Sequence, residues 1–362
     1  MIAICKHLLL LLTAITTVPL STVAKPAPYQ LSHENLAAYE KDGVIVVRGL
    51  LKGKELKDAT KAANSLQRSK SLSQRLFYRA IPIYRNLEFQ TWRRYRALET
   101  VAFDSAAPTI CAKLMGLDDD DKSKNKNKNP RPLRLLRDAV LGFSPGDKGC
   151  GWHVDDKMFW PCEDRNIGKR DAGINVWITL SPISASEGGG LAVAPGTNKL
   201  KLKFAEKARK AIKSLTCELA TLAPDCHEEM EKLTTVYDLE PGDAIIHDRY
   251  IFHKSHPFAE SESDANKNKY KNKKRGTKQR ISLRYVPADA TFNNGMNKDP
   301  GVAIAIKNLE TGDSVSKGGE YYPQVWPNSL PEERRCTVEN ESRGFVTLKS
   351  AVSMFLSSKK NA

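Results

Sequence analysis

The sequence predicts a mainly β domain with flanking helices, of the sandwich or jelly-roll class. From Arg134 onward the chain is rich in short β-branched runs separated by Gly and Pro, a pattern typical of strands joined by turns. The runs are LLRDAVLGF, INVWITL, GGLAVAP, DAIIHD and RISLRYV. Many short strands of this kind favour a sandwich or jelly roll over alternating parallel units. With 362 residues, 40% of them hydrophobic, the chain can bury a full core in one main domain.

The first flanking helix is predicted directly after Ser32. This residue precedes the amphipathic run HENLAAYEKDG, and Ser is a preferred residue at the start of a helix. Gly43 is a good stop signal, and Val44 to Val47 then favour a strand. A second helix is predicted over residues 53–66.

The remaining helical and loop segments divide the domain, which we expect over residues 28–350. A further helical pattern runs through 91–114, and a Lys- and Glu-rich helical insertion through 203–233. Two Lys- and Asn-rich loop insertions are expected near 118–130 and 259–277, because such tracts cannot bury apolar area.

The amino end predicts a secretory signal peptide over residues 1–24. Lys6 supplies the basic region, Leu8 to Leu12 the apolar core, and a small residue, Ala24, the cleavage site. The alternative is a retained single-pass anchor. Since no later segment is apolar enough to cross a membrane, we expect no stable span after cleavage. The predicted location is the endoplasmic reticulum lumen or the outside of the cell.

Cysteine usage suits an oxidising compartment. Removal of the leader leaves six cysteines, an even number that favours disulfide pairing. We expect Cys217 to pair with Cys226 and Cys150 with Cys162, the alternative being that some stay free. Asn340 begins a glycosylation sequon, which agrees with secretion.

The formal charge of +15 does not predict a nucleic-acid partner. Much of the charge lies in the tracts SKNKNKN and NKNKYKNKKRG, which lack the interleaved aromatic residues that stack on bases. These tracts are expected to be solvated loops. An acidic surface or an anionic glycan stays possible as their binding partner.

The stretch GWHVDDKMFW contains the first two candidate metal ligands. In an extended chain His153 and Asp155 point to one side and Val154 to the other. An imidazole beside a carboxylate matches two-thirds of the two-His, one-carboxylate triad of non-heme iron(II) oxygenases. A bare His-x-Asp is weak evidence, so a second histidine has to arrive from elsewhere.

Three downstream histidines compete for that role, all in PGDAIIHDRYIFHKSHPF. His247 ends one predicted strand, whereas His253 begins the next segment and His256 follows it. We favour His253 as the ligand. His247 would then be a supporting or structural imidazole, and His256 a surface one.

Five ordered blocks together resemble the phytanoyl-CoA dioxygenase family. They are Gly142 to Gly146 with Gly151 to Asp155, Asn175 to Leu180, Glu187 to Lys199, Pro241 to Ser255, and Arg280 to Tyr285. The resemblance runs from about Leu31 to about Tyr285, interrupted by this chain's own insertions. It implies a double-stranded β-helix (jelly roll, cupin-like) that binds Fe(II) through His153, Asp155 and His253. It further implies 2-oxoglutarate as co-substrate and O₂ as oxidant.

The resemblance also implies a basic residue that binds the far carboxylate of 2-oxoglutarate. Lys278, Arg280 and Arg284 share one parity and therefore one face of their strand. We favour Arg280, because a guanidinium binds a carboxylate bidentately. Lys278 is next, since alignment on Ile281-Ser282 puts it at the family's usual place. By resemblance, Trp177 would line the co-substrate pocket; the alternative is a plain core role.

The expected function is Fe(II)- and 2-oxoglutarate-dependent hydroxylation of an aliphatic C–H bond in a small-molecule or lipid substrate. Asp155 favours hydroxylation over halogenation, because halogenating relatives usually carry a small residue there. One rival is a secretory-pathway prolyl or lysyl hydroxylase acting on protein. Another is a secreted binding protein of the same fold without catalysis.

Overall fold

The computed structural model describes residues 31–68, 87–118, 130–145, 147, 149–155, 160–163, 169–199, 202–212, 218–258, 277–293 and 309–330. The predicted signal peptide, the sequon at Asn340 and nearly all of both Lys- and Asn-rich tracts lie outside these residues.

Helix α1 (His33–Asp42) has the boundaries that the sequence predicts. The Ser32 side chain accepts a hydrogen bond from the backbone N–H of Asn35 at 3.1 Å, which satisfies a free donor of the first turn. Gly43 ends the helix at φ 69°, a left-handed conformation that glycine adopts without strain. Strand β1 (Val44–Val47) follows at once.

The other helices lie on one side of the main sheet or in the insertion. They are α2 (Gly53–Arg68), α3 (Arg96–Phe103), α4 (Ala107–Leu114), α5 (Lys203–Ala211), α6 (Leu219–Leu222) and α7 (Pro224–Lys232). The predicted helices at 53–66 and 203–233 are confirmed. The 91–114 pattern instead divides into a 3-10 turn, Thr91–Arg93, and the helices α3 and α4. Pro108 contributes to this break, because proline is tolerated only in a helix's first turn.

Nine strands form the sheets of the described residues. The further strands are β2 (Leu87–Phe89), β3 (Leu133–Phe143), β4 (Ile174–Thr179), β5 (Leu191–Val193), β6 (Ala244–Asp248), β7 (His253–Ser255), β8 (Lys278–Pro287) and β9 (Gln324–Trp326). The main sheet is antiparallel in the order β1-β6-β4-β8-β3-β2, with β9 also paired to β3. Strands β5 and β7 form a small second sheet.

The strand register gives the main sheet two different faces. One face is apolar and packs on α1 to α4, with Ile246, Ile281 and Tyr285 in the shared core. The opposite face carries polar and charged side chains from β3, β4, β6 and β8. Register pairs Asn175 with both His247 and Arg284, and residues directly opposed across antiparallel strands project to the same face.

The small sheet packs against this polar face. A second buried cluster joins Trp177 and Ile245 of the main sheet to Val193 of β5 and to Ile251. Two layers of antiparallel strands with helices outside match the predicted fold class, a jelly-roll or cupin-like arrangement, which is confirmed. The space between the layers is where the candidate site lies.

Both predicted disulfide pairings are wrong. Neither Cys162 nor Cys226 forms a disulfide, and each is buried in a hydrophobic cluster. Cys111 is free and buried, so no bridge joins two cysteines of the described residues. Buried cysteine behaves as a small apolar residue, and packing accounts for Cys111 and Cys226. The sulfur of Cys162 also accepts a hydrogen bond from Arg249. Among the helices of the described residues, none is long and apolar enough to cross a bilayer.

Candidate active site

The two predicted histidine ligands are directly paired. His153 and His253 exchange backbone hydrogen bonds of 3.0 and 2.9 Å, and their ring centroids lie 4.3 Å apart. Residues 151–155 do not form a full strand; within them, His153 alone pairs with β7, as an isolated β-bridge. The close approach continues at Gly149, φ 66°, where a Cβ would come within 2.2 Å of Ser255. Glycine is therefore needed at this position for the His153 segment to lie against β7.

Asp155 completes the cluster from the same side of the chain. Its Oδ1 lies 3.6 Å from His253 Nε2, and one ligand atom from each of the three side chains lies within 4.8 Å of the others. Arg284 of β8 donates to the other oxygen, Oδ2, from Nε at 2.8 Å and from Nη2 at 2.7 Å. Burial alone would raise the pKa of Asp155, but Arg284 and the nearby His253 bring this pKa well below its usual value. The carboxylate is thus ionised.

Backbone carbonyls fix the tautomer of both imidazoles. His153 Nδ1 lies 2.7 Å from the carbonyl of Gly151, and His253 Nδ1 lies 3.0 Å from that of Ile251. A carbonyl can only accept, so each Nδ1 carries a proton, and in the neutral ring Nε2 then has a free lone pair. Burial and, to a smaller degree, the neighbouring His253 together lower the pKa of His153 to about 4.

This donor set fits a divalent transition-metal ion. It offers two imidazole Nε2 lone pairs, at least one of them on a ring that is neutral at pH 7, and one ionised carboxylate oxygen, which is the two-His, one-carboxylate set. The predicted pairing of His153 with Asp155 and of both with His253 is therefore present as geometry. Val154 points away from the ligands, as predicted, and packs against the helical insertion.

His247 and His256 are not part of the cluster. The His247 ring lies 4.9 Å from the His253 ring, but its Nδ1 donates to the carbonyl of Asp248 at 2.8 Å. Its Nε2 accepts from the Asn175 amide at 3.0 Å, and the Asn175 oxygen accepts from the Ser282 hydroxyl at 2.7 Å. Burial lowers the pKa of His247 to about 3. Both ring nitrogens of His247 are thus hydrogen-bonded within the protein, and its ring packs beside that of His253.

Arg280 lies on the same face of β8 as Arg284, four residues earlier in the strand, and is paired with Thr179 of β4. Its guanidinium stands 4.8 Å from the centroid of the Phe143 ring and 5.4 Å from that of Trp177, and it donates to the carbonyl of Gly189 at 3.1 Å. Arg280 is 7% exposed, and its Nε has no hydrogen-bond partner. Burial lowers its pKa to about 10, although Asp147 raises it. It stays protonated at neutral pH.

The other two basic candidates have different surroundings. Arg284 is engaged with Asp155, as described. Lys278 lies at the start of β8, with its ammonium 4.6 Å from the ring centroid of Phe258. Trp177 contributes both to the Arg280 environment and to the core between the sheets.

Sequence reasoning did not find the partners of the three ligands. The ion pair of Arg284 and Asp155 joins residues 129 positions apart in the sequence, and neither Asn175 nor Ser282 was predicted as a site residue. The signal that could have found them is parity: Asn175 shares a face with Trp177, and Ser282 with Arg280 and Arg284.

A family model described as phytanoyl-CoA dioxygenase (PhyH) matches residues 39–261 of the chain, more than half of its length. The chain belongs to the phytanoyl-CoA dioxygenase family. The matched residues include His153, Asp155 and His253, whereas Arg280 and Arg284 follow beyond them. The predicted family resemblance is confirmed.

Solved structures support the same fold. One is the non-heme alpha ketoglutarate dependent carbocyclase SnoK from nogalamycin biosynthesis, 17% identical, TM-score 0.54, covering 83% of this chain and 100% of its own. Another is the epimerase SnoN in complex with Fe3+, alpha ketoglutarate and nogalamycin RO, 15% identical, TM-score 0.54, covering 80% and 96%. At this identity the likeness extends to the fold alone. Comparison with curated protein sequences found no match.

Proposed function

We propose that this protein is an Fe(II)- and 2-oxoglutarate-dependent dioxygenase that hydroxylates an aliphatic C–H bond of a small-molecule or lipid substrate. The observation that carries the proposal is the convergence of His153, Asp155 and His253, with ligand atoms within 4.8 Å of one another. Membership of the phytanoyl-CoA dioxygenase family supports it. So does SnoN, which was crystallised with iron and alpha ketoglutarate.

His153 Nε2, His253 Nε2 and Asp155 Oδ1 would hold the iron. Three protein ligands leave open positions on an octahedral ion for a co-substrate and O₂. Bound Fe(II) with 2-oxoglutarate and O₂ would supply the oxidant for a substrate C–H bond. Burial keeps His153 neutral near pH 7, so metal binding does not have to displace a proton from its Nε2.

Arg280 would bind the far carboxylate of 2-oxoglutarate. Its guanidinium is buried between Phe143 and Trp177 with Nε still unpartnered, and a carboxylate can pair bidentately with a guanidinium. Arg284, four residues farther along the strand, would orient Asp155 instead. Arg284 thus serves the metal ligand and Arg280 the co-substrate.

The chain's own groups prepare the site before the substrate arrives. Arg284 keeps Asp155 ionised, and the carbonyls of Gly151 and Ile251 hold both imidazoles with Nε2 toward the shared space. The ring of Trp177 and the neighbouring aliphatic residues exclude water from one wall. Hydroxylation is the outcome we favour, because Asp155 fills the ligand position that halogenating relatives usually leave to chloride.

The test is succinate release and oxygen uptake by the purified protein supplied with Fe(II), 2-oxoglutarate and panels of small molecules and lipids. We expect 2-oxoglutarate-dependent succinate release that His153→Ala and Asp155→Ala each abolish. Peptide substrates containing proline and lysine, run in parallel, separate the protein-hydroxylase rival. Metal binding without succinate under every condition would instead support a non-catalytic binding protein.

We also propose a secretory location, supported by the leader pattern at residues 1–24. Amino-terminal sequencing of the protein secreted by, or isolated from, a eukaryotic host tests it. A mature chain starting near Lys25 is expected, and an intact Met1 would contradict the cleavage.

A further inference from the structure

The helical insertion lies directly behind the two segments that carry the candidate ligands. Trp152 and Phe252, the residues before His153 and His253, belong to one buried cluster with Ala205 of α5. Neighbouring side chains of an extended chain project to opposite sides. The imidazoles therefore face the site, whereas Trp152 and Phe252 face helices α5 to α7.

Glu231, near the end of α7, contacts both segments. Its Oε1 accepts from the Trp152 indole N–H at 2.8 Å. The Lys254 ammonium donates to Oε1 at 2.6 Å and to Oε2 at 2.7 Å. Lys254 directly follows His253, and its Nζ also lies 4.8 Å from the centroid of the Trp152 ring. One carboxylate thus joins the residue before one ligand to the residue after the other.

This contact adds a side-chain connection to the backbone pairing at the site. The two segments are joined by the reciprocal hydrogen bonds of His153 and His253 and by the bond from Ser255 N–H to the Cys150 carbonyl. The backbone bonds fix the spacing of the two segments. A carboxylate that binds Trp152 and Lys254 together adds a side-chain constraint on their relative orientation from the rear of the site.

We infer that Glu231 is a positioning residue for the metal centre, holding the segments of His153 and His253 in the relative orientation that their Nε2 atoms need to share one ion. This inference rests on the proposed iron site and extends it to the insertion. Groups that orient metal ligands typically affect affinity by roughly 10- to 100-fold. Since Glu231 acts one residue away from each ligand, we expect the lower end of that range.

The test is titration of the metal-free full-length protein with Mn²⁺ alone, followed by calorimetry, in four forms. Wild type is compared with Glu231→Ala, Glu231→Gln and the control Glu228→Gln, whose side chain is exposed on the same helix. Glu231→Ala should bind Mn²⁺ about tenfold more weakly. Glu231→Gln keeps an acceptor for Trp152 but loses the charge that pairs with Lys254. Its Mn²⁺ affinity should lie between those of wild type and Glu231→Ala. Glu228→Gln should match wild type.

A spectroscopic measurement separates positioning from a merely structural role. The absorption bands of bound Co²⁺ depend on the ligand geometry, so Glu231→Ala should shift them and Glu228→Gln should not. A partly exposed ion pair contributes little to folding stability, and thermal unfolding of the metal-free variants checks that each is folded. Should Glu231→Ala not fold, the near-isosteric Glu231→Gln decides.

Two negative outcomes have different meanings. If Glu231→Ala and Glu231→Gln are folded and show wild-type Mn²⁺ affinity and Co²⁺ bands, the positioning role is overturned and the metal site is untouched. If wild type binds no Mn²⁺, the proposed function itself fails, and the role of Glu231 fails with it.

Discussion

The guanidinium of Arg284 binds only one of the two carboxylate oxygens of Asp155. Nε and Nη2 lie 2.8 and 2.7 Å from Oδ2, whereas Oδ1 faces His253 Nε2 at 3.6 Å. Both side chains are about 95% buried. This division of the carboxylate leaves one oxygen for a metal ion and predicts monodentate coordination by Asp155.

Replacement of Arg284 should affect both folding and metal binding. In Arg284→Met the buried carboxylate loses its cation, and breaking a buried ion pair on one side typically costs about 3–5 kcal/mol. The pKa of Asp155 should rise, since burial then acts without the opposing charge. Urea unfolding and Mn²⁺ titration at pH 7 measure the two effects. Equal stability and metal affinity in wild type and variant would contradict the assigned role.

Replacement of Arg280 should affect 2-oxoglutarate alone. Arg280→Met removes the buried guanidinium and should weaken 2-oxoglutarate binding to the Mn²⁺-loaded protein by roughly 10- to 100-fold, corresponding to a charged hydrogen bond. Mn²⁺ affinity should not change. The matched comparison is Lys278→Met, for which we expect less than threefold weakening, on the order of a surface interaction. A larger effect at Lys278 than at Arg280 would reverse our assignment.

The metal-free protein should lose stability in mild acid. The pKa values of His153 and His247 fall from 6.5 to about 4 and about 3, chiefly through burial. Below pH 6.5 the unfolded chain takes up these protons and the folded chain does not, so stability is full above pH 6.5. It declines as the pH falls toward 4, at about 1.4 kcal/mol per pH unit for each histidine.

His247→Phe tests this decline, because it removes one of the two groups. The slope of unfolding free energy between pH 6 and pH 5 should become shallower by about 1.4 kcal/mol per pH unit. The lost hydrogen bond to Asn175 lowers stability equally at both pH values and leaves the slope unchanged. His33→Gln, at an exposed position, is the control and should keep the wild-type slope. An unchanged slope in His247→Phe would refute the buried neutral imidazole.

Asn175 should contribute more to the free energy of unfolding than a single hydrogen bond does. In Asn175→Leu, the Nε2 of His247 and the hydroxyl of Ser282 both lose their partners inside the protein. Each unsatisfied buried group costs about 1–3 kcal/mol, so for the two groups we expect a loss of roughly 2–6 kcal/mol by urea unfolding. Adding Ser282→Ala to Asn175→Leu removes one of the two stranded groups and should recover part of the loss. Strict additivity of the two substitutions would show that the network does not act as a unit.

The sequence was most informative where local chemistry decides the structure. The Ser32 cap and the Gly43 stop define α1, and the parity of Lys278, Arg280 and Arg284 gives their shared face. The His-x-Asp spacing brought two candidate ligands together, and the position of His253 at the start of β7 favoured it over His247.

What the sequence could not supply depends on which distant segments meet. The cysteine pairings failed because number and spacing say nothing of burial, and Cys162 and Cys226 lie in separate hydrophobic clusters. The partner of Asp155 lies on another strand, and parity alone does not distinguish a residue that orients a ligand from one that binds a co-substrate. Contacts across the sheet separate the roles proposed for Arg280 and Arg284.

The most direct measurement is a crystal structure of the protein loaded anaerobically with Fe(II) and 2-oxoglutarate, with anomalous scattering recorded at the iron edge. We predict one iron peak bonded to Nε2 of His153, Nε2 of His253 and Oδ1 of Asp155, with the far carboxylate of 2-oxoglutarate on Arg280. Iron bound through other side chains, or the three ligand groups turned away from one another with no iron between them, would contradict the account.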